Sequence, residues 1–301
     1  MTDPILVENL EKTFGRTKAL DGVSFRVSAG SFMGFFGPNG AGKTTTIKAL
    51  MNLIPHNRGS AQVLGVSSNR LGRAEFRRIG YVSENQDMPL WMTLGQLIQY
   101  CRPMYPTWDD GLCESLRETF KLPLNQKLKG FSRGMRMKAA LLTSLAYHPE
   151  VVVLDEPFSG LDPLSRDQFV EGLMELSGDK SFTLLLSTHD VGEIERLCDA
   201  VTFIDHGRVD VSESTDSLLS RFRRVVVQQK AELKCTKLFS TWKAFRQNGE
   251  RVEFVETQFD EIEALKNRLS HELPGSILKA VEPMSLREVI VQMSQMERGG
   301  K

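Results

Sequence analysis

The stretch from Phe35 to Leu50, FFGPNGAGKTTTIKAL, decides how the rest of the chain is read. Upstream, Ser31 to Phe36 is a short apolar run of strand character; downstream, Thr44 to Met51 carries apolar residues at helical spacing after a hydroxyl-rich start. Between them, Gly37-Pro38-Asn39-Gly40-Ala41-Gly42-Lys43-Thr44 matches G-x-x-x-x-G-K-[ST] in the strand-to-helix context that this motif requires. Glycines remove the Cβ atoms that would keep successive backbone N–H groups from turning inward on an anion. The helix start adds unpaired donors and the positive end of its dipole. The stretch predicts a polyphosphate cradle in which Lys43 reaches the β- and γ-phosphates, Thr44 ligates Mg2+ and Thr45 donates to a phosphate oxygen.

A second element fits the same ligand. Val151-Val152-Val153-Leu154-Asp155-Glu156 is an apolar run ending in two acids, the pattern of a central parallel strand that stops at the carboxyl edge of its sheet. There Asp155 is a candidate Mg2+ holder through water, and Glu156 a candidate base for the water that attacks the γ-phosphate. Phe182 to Leu186 reads as a further strand and ends in Ser187-Thr188-His189, which makes His189 a candidate contact to the γ-phosphate. Taken alone, the acids also fit solvated residues at a strand end, and a lone histidine is more often structural.

The totals narrow the class. With 301 residues, 41% of them hydrophobic, the chain has material for one large domain and a smaller one. Lys+Arg and Asp+Glu balance at 38 each, so no global field draws it to nucleic acid or anionic lipid. Cys101, Cys113, Cys198 and Cys235 are far apart, which argues against a zinc site or disulfide framework and for reduced thiols. The first residues lack a signal-peptide pattern, and no run of 18 apolar residues occurs, so neither secretion nor a membrane span is expected.

From Ile5 to Leu218 these residues resemble the ATP-binding cassette (ABC) family, the nucleotide-binding subunits of membrane transporters. Beside the glycine loop, the Asp155-Glu156 strand and His189, the resemblance rests on Phe131-Ser132-Arg133-Gly134-Met135 at the place of the family signature and on Ser159-Gly160-Leu161-Asp162 at that of its D-loop. It implies an α/β P-loop NTPase fold, a RecA-like core sheet with an antiparallel β subdomain and a helical subdomain, over residues 1–222. A small C-terminal α+β domain is expected at 223–301, possessing strands at Arg224–Gln228, Val252–Val255 and Ile277–Val281 and helices at Asp260–Ser270 and Ser285–Met296.

The resemblance further implies an ATPase that uses ATP and Mg2+, with Lys43, Glu156 and His189 catalytic. Two cassettes, identical or not, would pair head to tail so that Ser132 and Gly134 of one complete the ATP site of the other, and Asp162 of the D-loop is a further ATP-binding candidate. A separately encoded permease, export, no nucleic acid, and a peripheral place on the cytoplasmic face of the cell membrane complete the expectation. A soluble ABC-type ATPase acting on ribosomes or nucleic acid is the alternative, weakened by the single phosphate loop. Three departures stand out: Arg133 and Met135 replace Gly and Gln of the signature, Glu84 replaces the Q-loop glutamine expected to ligate Mg2+, and Phe14 stands where a tyrosine often stacks on adenine. Helices over Leu94–Met104 and Asp109–Leu122, with Met88, Leu90, Trp91 and Tyr100 nearby, suggest a groove for a permease helix, though most such stripes are core.

Overall fold

The protein is described by a computed structural model covering residues 3–84, 86–177, 182–190, 192, 195, 197–229 and 239–298. It divides into two units, Met1–Ser212 and Glu213–Lys301. In the first, strand β1 (Ile5–Phe14) turns at Gly15 and pairs antiparallel with β2 (Thr17–Val27). Alternation of buried Ile5 and Val7 with less buried neighbours gives this sheet one core face. The chain then runs through β3 (Phe32–Phe36), buried at every position, into helix α1 (Lys43–Leu50), and returns as β4 (Arg58–Val63) and β5 (Val66–Ser67) to complete a sheet of order β2-β1-β4-β5. Phe25 and Phe35 stack with ring centroids 5.1 Å apart, and Ile47 and Leu50 of α1 belong to the same core.

A short helix, α2 (Arg73–Phe76), leads to β6 (Ile79–Ser83). Three further helices follow, each started by a side chain that accepts from a backbone N–H: α3 (Leu94–Cys101) by Thr93, α4 (Asp110–Thr119) by Asp109 and α5 (Arg133–Leu145) by Ser132. The first is shorter than expected, because Arg102–Met104, which contains Pro103, tightens into a 3-10 turn. Strands β7 (Val151–Asp155), β8 (Thr183–Thr188), β9 (Ala200–Asp205) and β10 (Arg208–Ser214), with α6 (Pro163–Ser177) after β7, complete a six-stranded sheet of order β10-β9-β3-β8-β7-β6. Its inner pairs are parallel, and the register sets Phe36 beside Thr188 and Asp155 beside Ser187. The glycine loop, the acidic pair and His189 therefore leave the sheet at one carboxyl edge.

The second unit starts ten residues earlier than the expected boundary after Phe222. Helix α7 (Thr215–Arg221) is the reason: Arg221 donates to the Thr257 carbonyl at 3.0 Å, and its own carbonyl accepts from Phe259 N–H at 2.8 Å. Strands β11 (Arg223–Gln228), β12 (Trp242–Asn248), β13 (Arg251–Glu256) and β14 (Ile277–Pro283) form an antiparallel sheet of order β12-β13-β11-β14, accompanied by α8 (Ile262–Glu272) and α9 (Leu286–Arg298). Strand β12 lies outside the expected elements. Leu265 and Leu269 of α8 pack with Leu273 on Val225, Val227, Trp242, Val252 and Phe254. Each fully buried aliphatic side chain contributes about 1.5–3 kcal/mol, a large share for so small a core. Trp242 donates through Nε1 to the fully buried Glu256 carboxylate at 3.0 Å, which satisfies both groups.

No described helix is long and apolar enough to cross a membrane. Cys101, Cys113 and Cys198 are not joined in disulfides, while Cys235 lies outside the described residues.

Candidate functional site

Ala19, Asn39, Gly40, Gly42, Lys43, Thr44, Thr45, Glu84, Glu156, Ser159 and His189 line one cavity of about 330 Å³. Ten of these eleven come from motifs picked out in the sequence, and Ala19 on β2 is the addition. The cavity forms where α1 begins. Gly42 caps that helix in the left-handed region at φ 114°, offers no side chain to its first N–H groups, and leaves no room for a Cβ, which would stand 2.8 Å from Leu20 Cδ2 and 3.0 Å from the Ala19 carbonyl. The first turn of α1 therefore presents uncapped donors beside the Lys43 ammonium, an anion site by construction.

Lys43 is almost fully buried. Its Nζ donates to the carbonyls of Gly37 at 2.7 Å and Pro38 at 3.2 Å and pairs with Glu156 Oε1 at 3.0 Å. Glu156 is itself held in an unusual backbone conformation, φ 50°, fixed by its N–H donating to both the carbonyl and the Oγ of Ser187, at 3.1 and 3.0 Å. A non-glycine residue in the left-handed region costs about 1–3 kcal/mol, and such strain concentrates at functional sites. Here the kink swings the Glu156 carboxylate off the strand, so that Oε1 meets Lys43 while Oε2 lies 2.8 Å from His189 Nδ1. With Glu156 ionised, that bond requires the proton on Nδ1 and leaves Nε2 for another partner.

Asp155 stays at the strand end, buried, and its Oδ1 accepts from Thr44 Oγ1 at 3.1 Å and Ser187 Oγ at 2.7 Å. Burial pushes its carboxyl above the ordinary 3.8, against the pull of the Ser187 and Thr44 hydroxyls, and the Glu156 charge pushes the same way. Thr44, Asp155 and, across the cavity, Glu84 form an all-oxygen set of the kind Mg2+ takes together with water and phosphate oxygens.

Glu84 Oε1 accepts from Ser159 Oγ at 2.7 Å and Arg133 Nη2 at 3.0 Å. The Ser159 hydroxyl foremost, and then the Arg133 guanidinium, hold its carboxyl below the usual range. The remaining expected residues lie outside the cavity lining. Phe14 ends β1 half-exposed, with Lys12 Nζ 4.9 Å from its ring centroid, and so is not a core residue. Ser132 caps α5 by accepting from Met135 N–H at 3.1 Å, the backbone of Gly134 lies against Ser165 and Leu161, and Asp162 Oδ1 accepts from Ser165 N–H at 2.9 Å at the start of α6. Ser187 is the functional residue that sequence reading passed over; its place opposite Asp155 follows from β-register, which only the assembled sheet reveals.

Comparison with known proteins bears on the family and the fold. Residues 20–159 match the ABC transporter family. The Nod factor export ATP-binding protein I of Burkholderia lata is 36% identical over 68% of this chain and 69% of its own length. An uncharacterised ABC transporter ATP-binding protein of Methanocaldococcus jannaschii is 33% identical over 69% of this chain and 76% of its own. A solved ATP-binding subunit of an ABC transporter superposes with TM-score 0.65 at 28% identity, covering 73% of this chain and 92% of that one.

Proposed function

The chain belongs to the ABC transporter ATP-binding proteins, a family of ATPases, and we propose that it drives a separately encoded membrane permease by hydrolysing ATP between two cassettes paired head to tail. The observation that carries this reading is the Lys43–Glu156–His189 constellation at the mouth of the glycine loop. The first turn of α1 and Lys43 bind the β- and γ-phosphates, and the incoming phosphate takes the place of the Glu156 carboxylate on the Lys43 ammonium. So released, Glu156 is free to accept a proton from the attacking water, and His189, tied to it through Nδ1, keeps the carboxylate aimed and offers Nε2 to the same region. Thr44 and Asp155, with Glu84, would hold Mg2+, which would supply neutralisation of the charge developing on the phosphates. Ser132 and the first N–H groups of α5 face the nucleotide of the second chain; the uncrowded Ser132 hydroxyl proton supports that use, since the oxygen alone is engaged in capping.

The permease is met by the helical region. Leu90, Trp91 and Tyr100 are exposed, and beside them Met88 and Met137 share a groove of about 350 Å³ with Asp87, Arg133 and Arg136, a mixed apolar and charged surface suited to a short amphipathic helix of a membrane partner. On this reading the chain lies peripherally on the cytoplasmic face of a membrane. Export is the proposed direction, supported by the Ser-x-Gly-Met form of Ser132–Met135 and by the relative named for Nod factor export. The Glu213–Lys301 unit then serves as an accessory domain, for dimerisation or regulation.

Glu156→Gln tests the chemistry. Hydrolysis is expected to fall about 10²–10⁴-fold, the worth of a general base, while ATP still binds and the chain dimerises with Mg-ATP. Turnover at the wild-type rate would refute the role given to Glu156.

A further inference from the structure

Two departures from the family pattern meet in space. Glu84 follows β6 and Arg133 opens α5, 49 positions later, yet Arg133 Nη2 lies 3.0 Å from Glu84 Oε1. Ser159 of the D-loop donates to the same oxygen at 2.7 Å. The next residue, Gly160, makes room for the arginine: at φ 70° it carries no Cβ, and one placed there would stand 2.9 Å from Arg133 Nη1. Three segments that carry the nucleotide chemistry are thus joined at a single carboxylate oxygen. Glu84 also belongs to two cavities, the one lined by Lys43, Thr44 and Glu156 and the groove lined by Met88, Arg136 and Met137.

Each substitution alone sets a charge in a poor place. A glutamate beside the γ-phosphate site adds repulsion, and an arginine at the start of α5 adds a cation to the wrong end of a helix dipole. Together they cancel. The contact is half-exposed at both ends, with side chains 42% and 37% accessible, so its worth as a stabilising surface ion pair is small. Its worth as a positional device is larger, because it fixes by one oxygen a two-armed carboxylate that lines the cavity.

We propose that Arg133 is a positioning residue for Glu84: by holding Oε1, with Ser159, it sets the other carboxylate oxygen toward the nucleotide and ties the turn that presents Ser132 to the same chain's ATP site. The inference rests on the head-to-tail reading, in which Ser132 serves the opposite nucleotide. Through this tie the state of one ATP site is felt at the turn that completes the other.

The test is a double-variant cycle on the full chain, following steady-state ATP hydrolysis against ATP concentration for wild type, Arg133→Gly, Glu84→Gln and the pair combined. Each single change is expected to lower kcat about fivefold or more with a smaller change in KM, the low end of measured coupling between sites, and the combined variant to lose no more than Glu84→Gln alone, because Arg133 acts through Glu84. Arg133→Lys, which keeps the charge but not the fork, is expected to retain more activity than Arg133→Gly. Losses that multiply in the combined variant would overturn the proposal, as would Arg133→Lys matching Arg133→Gly. Mg-ATP-driven dimerisation of Glu156→Gln separates the two claims: a dimer alongside multiplying losses overturns only the role of Arg133, whereas no dimer overturns the head-to-tail reading beneath it.

Discussion

Helices α1 and α5 both begin at turns suited to an anion, yet they treat their first donors in opposite ways. At α1 the cap is Gly42, with no side chain to occupy the free N–H groups, and Lys43 stands beside them. At α5 the cap is Ser132, whose Oγ already accepts from Met135 N–H, and the side chain beside it, Arg133, is turned toward Glu84. The first turn leaves its own backbone donors open to a polyphosphate. The second keeps one backbone donor occupied and offers a hydroxyl proton, a contact of use only when something external brings a phosphate to it. On the proposed reading, one chain carries one phosphate site and a fragment of another, and the asymmetry is why the fragment would need a second cassette.

The largest expected effect tests the first of these turns. Gly42→Ala puts a Cβ within 3.0 Å of the Ala19 carbonyl in a left-handed conformation, so the turn must open and its N–H groups lose their aim. Two charge-assisted hydrogen bonds lost at about 1.5–3 kcal/mol each correspond to roughly 10³-fold weaker ATP binding, measured by calorimetry. Binding within a few-fold of wild type would erase the distinction between the helices. Ser132→Ala is the smaller counterpart. Hydrolysis is expected to fall about 10²-fold, the cost of one donor at a developing charge, while the ATP Kd of the isolated chain stays within about twofold. Equal weakening of both quantities would show that Ser132 acts within its own chain.

The same contrast explains what the sequence made legible. The turn at α1 is local: eight contiguous residues carry cradle, cation and hydroxyl, so pattern and chemistry coincide, and β7 with Asp155 and Glu156 is readable for the same reason. Ser187 was not readable, because its role depends on lying opposite Asp155 across a parallel register that no short window contains. The Arg133–Glu84 pair was seen as two separate departures, since 49 positions hide their contact. In the second unit, β12 escaped because only Trp242 of its seven residues is buried, which leaves an edge strand with no apolar alternation to detect. The boundary after Phe222 followed the fading of motifs, whereas α7 is bound by Arg221 to the segment around Thr257 and Phe259.

The smallest effect concerns the cost of keeping a ready site. Burial raises the Asp155 carboxyl above its ordinary 3.8, so the ionised group is disfavoured in the folded chain. The sign follows from linkage: a raised folded value means stability is fully present below about pH 4 and is given up as pH rises through the folded value, after which the penalty is constant. Glu156 adds to that penalty, whereas Lys43, Ser187 and Thr44 oppose it, so the net effect is modest. Asp155→Asn retains an oxygen for the Thr44 and Ser187 hydroxyls and removes the charge. Without nucleotide it is expected to raise the unfolding midpoint at pH 7 by about 2 °C, and the gain should vanish toward pH 4. With Mg-ATP the order should invert, because the wild type alone gains the full stabilisation of a tightly bound ligand. A variant less stable than wild type at pH 7 without nucleotide would mean that the Asp155 charge strengthens the fold as well as the ATP site.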